Sequence, residues 1–215
     1  MSFATLLLLI VSGFSAIPGV EYTEKGEKIL VDLLWSSKNF NVPANLLLAQ
    51  YYEESRHKYW AESEKRSDGT YDIGFVQMNT KYIPYHVDQF TAEMGRTLTV
   101  EETYQVNIML GAFVLSQNQQ EFHNTRSSLM AYVGGAHNVR EGTPSKLAKQ
   151  YATNILNRLQ SSTEMEEVLA SFIRAVFSTE KVPLTLDQIK RAMWQLPPLR
   201  QRNITRDNFL TIFKK

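Results

Sequence analysis

No cysteine occurs among the 215 residues. That removes disulfide staples, thiolate metal sites, cysteine nucleophiles and a lipid-modified N-terminal cysteine together. A chain of this length buries enough core to stand without staples. A dominant charge is also missing: the net charge is +1, so no global field points to nucleic acid. His57, His86, His123 and His137 stand apart, with no HExxH-type ligand pair, and no metal site is expected. Glycine-rich phosphate loops and nucleophile elbows are absent too, and no cofactor is expected. Long alternating strand patterns are lacking, while helical punctuation recurs. With 43% hydrophobic and 11% aromatic residues, the chain reads as globular and all-α.

Charged side chains are missing from Met1 to Val20, where a dense apolar run, Phe3 to Val11, precedes Ser12, Gly13, Ser15 and Ala16. Residues 1–20 are therefore expected to be an export signal, with an uncleaved N-terminal anchor as the alternative. Either reading places the rest of the chain outside the cytoplasm, in the periplasm or cell envelope.

Ile29, Leu30, Leu33 and Leu34 predict an amphipathic helix from about Glu24 to Lys38. Asn41 is expected to cap a second helix, with Pro43 in its first turn, running to about Ser55. Residues 57–72 are polar, carry the turn signal Asp68-Gly69 and read as a loop delivering Gly74 to Asn79 opposite the helix end. Thr99-x-x-Glu102 has the pattern of a capping box before a long helix through Val106, Met109, Leu110, Phe113 and Val114. Gly111 lies inside that helix, and close packing against another backbone explains it. Ser127 to Val133 predicts a short buried helix ending at Gly134-Gly135. Thr143-Pro144 should open another, with Leu147, Tyr151, Ile155 and Leu159 at intervals of four. Beyond Ser161, Thr163-x-x-Glu166 and Thr185-x-x-Gln188 are two further capping patterns, and Pro197-Pro198 breaks the chain.

Glu53 and Glu54 close the apolar run Leu46 to Tyr52. A carboxyl buried at such a helix end holds its proton more tightly, which makes a proton donor near neutral pH. A helix C-terminus disfavours carboxylates, so two acids there call for a reason. Periodicity does not choose between them: Glu54 shares a face with Leu47 and Tyr51, Glu53 with Leu46 and Ala49.

Four pieces occur in order: Glu54-Ser55, then Gly74-Phe75-Val76-Gln77, then Asn107-Ile108-Met109-Leu110-Gly111, then Ala131-Tyr132-Val133-Gly134-Gly135. Together they resemble the Glu-Ser, Gly-Leu-Met-Gln, Asn-Ile-x-x-Gly and Ala-Tyr-Asn-Ala-Gly motifs of the lytic transglycosylase SLT domain and goose-type lysozyme family, over about residues 29–160. The resemblance implies a lysozyme-like helical domain over 21–162 with a helical C-terminal extension over 163–215. It implies cleavage of the MurNAc–GlcNAc β-1,4 bond of peptidoglycan, with a 1,6-anhydro sugar as product. A water-using muramidase and a non-catalytic peptidoglycan-binding protein are the alternatives.

The resemblance selects Glu54 as the acid/base, since the family's glutamate immediately precedes serine. It implies substrate contacts for Ser55, Gly74, Gln77 and Tyr132. Val133 departs from the family's asparagine, with His137 or Asn138 as candidate substitutes. Asp72, two residues before Gly74, reads either as a second carboxylate or as a turn cap. Among nearby aromatics, Trp60 and Tyr82 are expected to be exposed for sugar stacking. From Thr179 onward eight basic residues face three acidic ones, a surface for an anionic envelope or membrane-associated partner or, alternatively, a solvated face over a helix packed on the core.

Overall fold

The computed structural model describes residues 7, 8, 13, 23–98, 103–177 and 185–196. Helices α1 (Glu24–Asn39) and α2 (Ala44–Ser55) come first, followed by a two-stranded antiparallel hairpin, β1 (Asp72–Ile73) and β2 (Met78–Asn79), with Asp72 opposite Asn79. Then follow α3 (Ile83–Met94), α4 (Thr103–Phe122), α5 (Thr125–Gly134), α6 (Ala136–Arg140), α7 (Lys146–Gln160), α8 (Ser162–Phe177) and α9 (Leu186–Gln195). Apart from that short hairpin the described residues are mostly helical, consistent with an all-α lysozyme-like domain.

Helix α4 is the central pillar. Residues 107–113 of it are buried on every side, so α1, α3 and α5 can all pack around it. At one end Trp35, Phe40, Phe90 and Phe113 interlock in edge-on and tilted contacts, joining α1, α3 and α4. Helix α7 lies against α2 and α5, and α8 lies against α2, α1 and α7.

Caps account for most helix starts. Thr23 Oγ1 accepts from the Gly26 N–H at 3.0 Å to begin α1, and Thr185 with Gln188 forms a complete capping box on α9. Three expected starts differ. Asn41 is left-handed (φ 54°) and caps nothing; Pro43 occupies the cap position of α2 with no side-chain bond. Ser145, not Thr143, caps α7 by accepting from the Ala148 N–H. Ser161 accepts from the Glu164 N–H at 3.2 Å to start α8, while Glu166 turns into the core instead of closing a box with Thr163. Ser145 and Ser161 stand just before their helices, where a short hydroxyl reaches the first free N–H groups, and at α2 the Pro43 carbonyl accepts from the Leu46 and Leu47 N–H groups.

Part of the expected loop over 57–72 is organised. Asp68 accepts from the backbone N–H and hydroxyl of Thr70 around Gly69 (φ 81°), the turn that Asp-Gly signals. Helix α3 was not anticipated. The C-terminal α8 is continuous with the core through Phe172, Ile173 and Val176, and α9 adds Ile189. Leu7, within the expected export signal, is also buried in this core. Apart from residues 7, 8 and 13, that signal lies outside the described residues, as do the Thr99-x-x-Glu102 pattern, Pro197-Pro198, Phe209, Phe213 and most of the basic terminal stretch. Among the described residues no helix is long and apolar enough to cross a membrane.

Candidate active site

Helix α2 ends at the site because two consecutive residues, Arg56 (φ 56°) and His57 (φ 63°), adopt left-handed backbone. Each costs about 1 kcal/mol without glycine, and the surroundings hold both. The Arg56 guanidinium donates to the Tyr52 carbonyl at 2.6 Å. His57, fully buried between Tyr52 and Phe172, donates from Nε2 to the Leu48 carbonyl at 3.0 Å. Burial lowers its affinity for a proton to a pKa of about 3, so it stays neutral.

This turn places the two glutamates in opposite circumstances. Glu53 accepts from Asn154 at 2.7 Å and from Arg158 at 3.1 Å, and Arg56 stands 3.5 Å away. Burial alone would raise its pKa, but these partners outweigh that and leave it lowered. Among the described residues Glu54 has no cation. Burial pushes its pKa up to about 7; Tyr151 opposes this with one hydrogen bond, while the negative charges of Asp72 and Glu53 add to the rise. The Tyr151 hydroxyl donates to Glu54 Oε1 at 2.5 Å. One acid is a structural anion, its neighbour a neutral acid near physiological pH.

The hairpin loop is clamped opposite. Gly74 is left-handed (φ 74°), and a Cβ there would stand 2.5 Å from the Asn107 side chain. Asn107 occupies that space to bridge the turn: Nδ2 donates to the Ile73 carbonyl and Oδ1 accepts from the Val76 N–H, both at 2.7 Å. Gly111, one turn further along α4, lets Val76 in, since a Cβ there would meet Val76 Cγ1 at 2.6 Å. The close packing foreseen for Gly111 is therefore against a side chain, not a backbone. These contacts give the Asn-x-x-x-Gly spacing its physical meaning: the asparagine fastens the loop and the glycine makes room for it.

The hydroxyl of Ser55 points inward. It is buried and donates to the Phe75 carbonyl at 2.9 Å, tying the end of α2 to the loop. Gln77 (φ 45°) gives its amide N–H groups to the Gly74 and Ala61 carbonyls at 2.9 and 3.3 Å. Its Oε1 has no partner among the described residues and is the side left to meet a ligand. Tyr132, on α5, directs its hydroxyl to the Val76 carbonyl at 3.4 Å. Burial and the Glu54 carboxylate keep it protonated.

Asp72 is close enough to Glu54 to act on it, but both its oxygens are taken. Arg66 grips it at 2.9 and 2.6 Å, and Asn79 donates to it at 2.9 Å. Its pKa is lowered by these partners despite some burial. Val133 is 39% exposed. Asn138 Nδ2 donates to the Gly134 carbonyl at 2.7 Å. Trp60 and Tyr82 are exposed, and Tyr85 is exposed as well.

Tyr151 is the functional residue that the sequence reading missed. In the stripe Leu147, Tyr151, Ile155, Leu159 it passes for a core position. The available signal is that a buried tyrosine hydroxyl needs a partner.

The family model described as Transglycosylase SLT domain matches residues 35–155, a span holding Glu54, the loop clamp and Tyr151. No curated protein matches the chain. The matched span exceeds half of the chain, and the protein belongs to the transglycosylase SLT domain family.

Proposed function

We propose that the protein is a peptidoglycan lytic transglycosylase that cleaves the MurNAc–GlcNAc β-1,4 bond with Glu54 as its single acid/base. The carrying observation is the Glu54 carboxyl: partly buried, without a cation among the described residues, its pKa raised to about 7, and held by Tyr151. Such a group can protonate the glycosidic oxygen as the bond breaks. Having lost its proton, the carboxylate is stabilised by Tyr151 and can accept the proton of the sugar's primary hydroxyl as that oxygen closes onto the anomeric carbon. The proton count balances: one is given to the leaving oxygen, one is recovered from the 6-hydroxyl, and no water is consumed. Glu54 is thereby returned to its acid form.

Asp72 favours this outcome over hydrolysis. An inverting hydrolase needs a second carboxylate to activate water, and the Asp72 oxygens are engaged by Arg66 and Asn79. Gln77 Oε1 and the exposed rings of Trp60 and Tyr82 supply acceptor and stacking surfaces for the glycan. The reading places the enzyme in the periplasm or cell envelope, with the N-terminal run as export signal or anchor. Digestion of purified sacculi followed by mass analysis tests it. Anhydro-muramyl ends support transglycosylation, reducing ends one water heavier identify a muramidase, and intact glycan identifies a binding protein.

A further inference from the structure

One turn before Glu54, α2 carries a side chain for which the reaction above has no use. Gln50 is 0% exposed, and among the described residues neither its Nε2 nor its Oε1 completes a hydrogen bond of ordinary geometry. A buried, unpaired amide atom costs stability, since it gives up water without a replacement partner. Its neighbours on the helix, Leu46 to Ala49, are buried apolar residues, so an aliphatic side chain would fit this position at lower cost. Native structures retain such groups where they serve a purpose.

Position suggests the purpose. Four residues apart on a helix, Gln50 and Glu54 share a face. Tyr151 lies across from that face with its only hydroxyl proton committed to Glu54. A hydroxyl keeps two lone pairs after donating its proton, and the Gln50 amide is near enough to Tyr151 to act on its oxygen as a donor. The contact falls short of a full hydrogen bond in this structure.

We propose that Gln50 is a positioning residue for the acid, its Nε2–H donating to the Tyr151 hydroxyl oxygen, which in turn donates to Glu54 Oε1. The inference rests on the reading of Glu54 as the acid/base. Its content is that the chain of donors works on one half of the cycle. While Glu54 is protonated, Tyr151 meets a neutral group and the Gln50 contact stays slack. When Glu54 gives up its proton, Tyr151 donates to an anion, its oxygen becomes a better acceptor, and Gln50 closes onto it. The unpaired amide of the acid form thus becomes support for the base form.

Other charges around the acid do not titrate with it. Glu54 meets Tyr151 from α7, Tyr132 from α5, Asp72 from β1 and Glu53 on its own helix. Asp72 is held ionised by Arg66 and Asn79, and Glu53 by Arg158, Asn154 and Arg56. Both tyrosines are held protonated by burial and by Glu54 itself. A change in the Glu54 titration therefore reports on its own hydrogen bonds.

The test uses the full chain with Gln50→Met and, as a second variant, Gln50→Leu. The Glu54 carboxyl is titrated by carbon-13 NMR, melting is measured, and kinetics are followed on soluble glycan fragments across pH. Expected are an unchanged or higher melting temperature and a Glu54 titration moved upward by about 0.3–0.5 pH unit. The alkaline limb of activity should move with it, and kcat should fall up to about tenfold at unchanged KM. A lowered melting temperature with Glu54 titrating where wild type does would overturn the proposal and make the amide merely structural. No change in any reading would overturn it too. The titration needs no turnover: if it moves while wild type cleaves no glycan, the donor chain stands and the functional reading falls.

Discussion

At the residue scale, two adjacent glutamates show how environment assigns roles. Arg158, Asn154 and Arg56 surround Glu53, whereas Glu54 receives one tyrosine hydroxyl and, among the described residues, no cation. The sequence placed both at one helix end but could not separate them physically, because the partners that distinguish them, Tyr151, Asn154 and Arg158, come from α7, about a hundred residues away. Motif register alone pointed to Glu54. Tyr151→Phe removes the hydrogen bond that favours the carboxylate, so Glu54 should hold its proton to a higher pH. The alkaline limb, near pH 7 in wild type from the raised pKa, should shift upward, and kcat should drop roughly 10- to 100-fold as the base half loses support. A pH–rate profile of the purified variant checks both. Val133 presents a different case, an exposed apolar side chain at the family's asparagine, with Asn138 engaged elsewhere. Val133→Asn should leave activity equal or higher at unchanged melting temperature, read as turbidity loss on sacculi.

Between elements, the site depends on one clamp between the hairpin loop and α4. Asn107 fastens the backbone at Ile73 and Val76, Gly74 leaves room for Asn107, and Gly111 leaves room for Val76. Helix periods were legible in the sequence, since repeated apolar residues need only local geometry to be recognised. Caps were less so: Asn41, Thr143 and Thr163 each yielded to a nearby residue, because which hydroxyl or turn meets the first free N–H depends on the chain's entry angle. Helix α3 buries only Ile83 and Phe90, too few core positions to have marked it in the sequence. Gly111→Ala should destabilise the domain although alanine favours helix, because the new methyl meets Val76 at 2.6 Å. A loss of about 1–3 kcal/mol is expected by overpacking, with activity falling as Val76 displaces the loop. Denaturant unfolding and glycan cleavage, measured together, check this.

For the molecule as a whole, the C-terminal helices decide what the extension is for. Helix α8 buries Phe172, Ile173 and Val176 in the common core. Its Glu167 accepts from the Tyr52 hydroxyl, and its Ser171 hydroxyl donates to the Arg56 carbonyl, both behind the catalytic turn. Lys190 on α9 lies 3.6 Å from Glu167. The motif pattern ended near residue 160, so the sequence could suggest packing or recruitment but not weigh them; α8 favours packing. Truncation after Ser161 should therefore abolish cooperative unfolding or lower the melting temperature sharply, by exposing the apolar faces of α1 and α2. A truncated chain that stays folded and cleaves purified glycan, yet loses salt-sensitive binding to whole envelopes, would restore recruitment as the extension's role.

Glu54→Gln is the most direct test of the central claim, that a neutral, partly buried carboxyl delivers the proton. The amide nearly preserves shape but cannot act as a Brønsted acid. Its effect on stability is also defined. Raised from 4.5 to about 7, the Glu54 pKa makes the folded state bind more protons than the unfolded state between those values. Wild-type stability therefore falls as pH rises through that window, by on the order of 3 kcal/mol in full. At pH 8 the variant should melt at or above wild type, which shows that it is folded. Its turbidity loss on purified sacculi should be at least about a thousandfold slower, while Glu53→Gln retains cleavage. Cleavage by folded Glu54→Gln at a rate comparable to wild type would contradict the account.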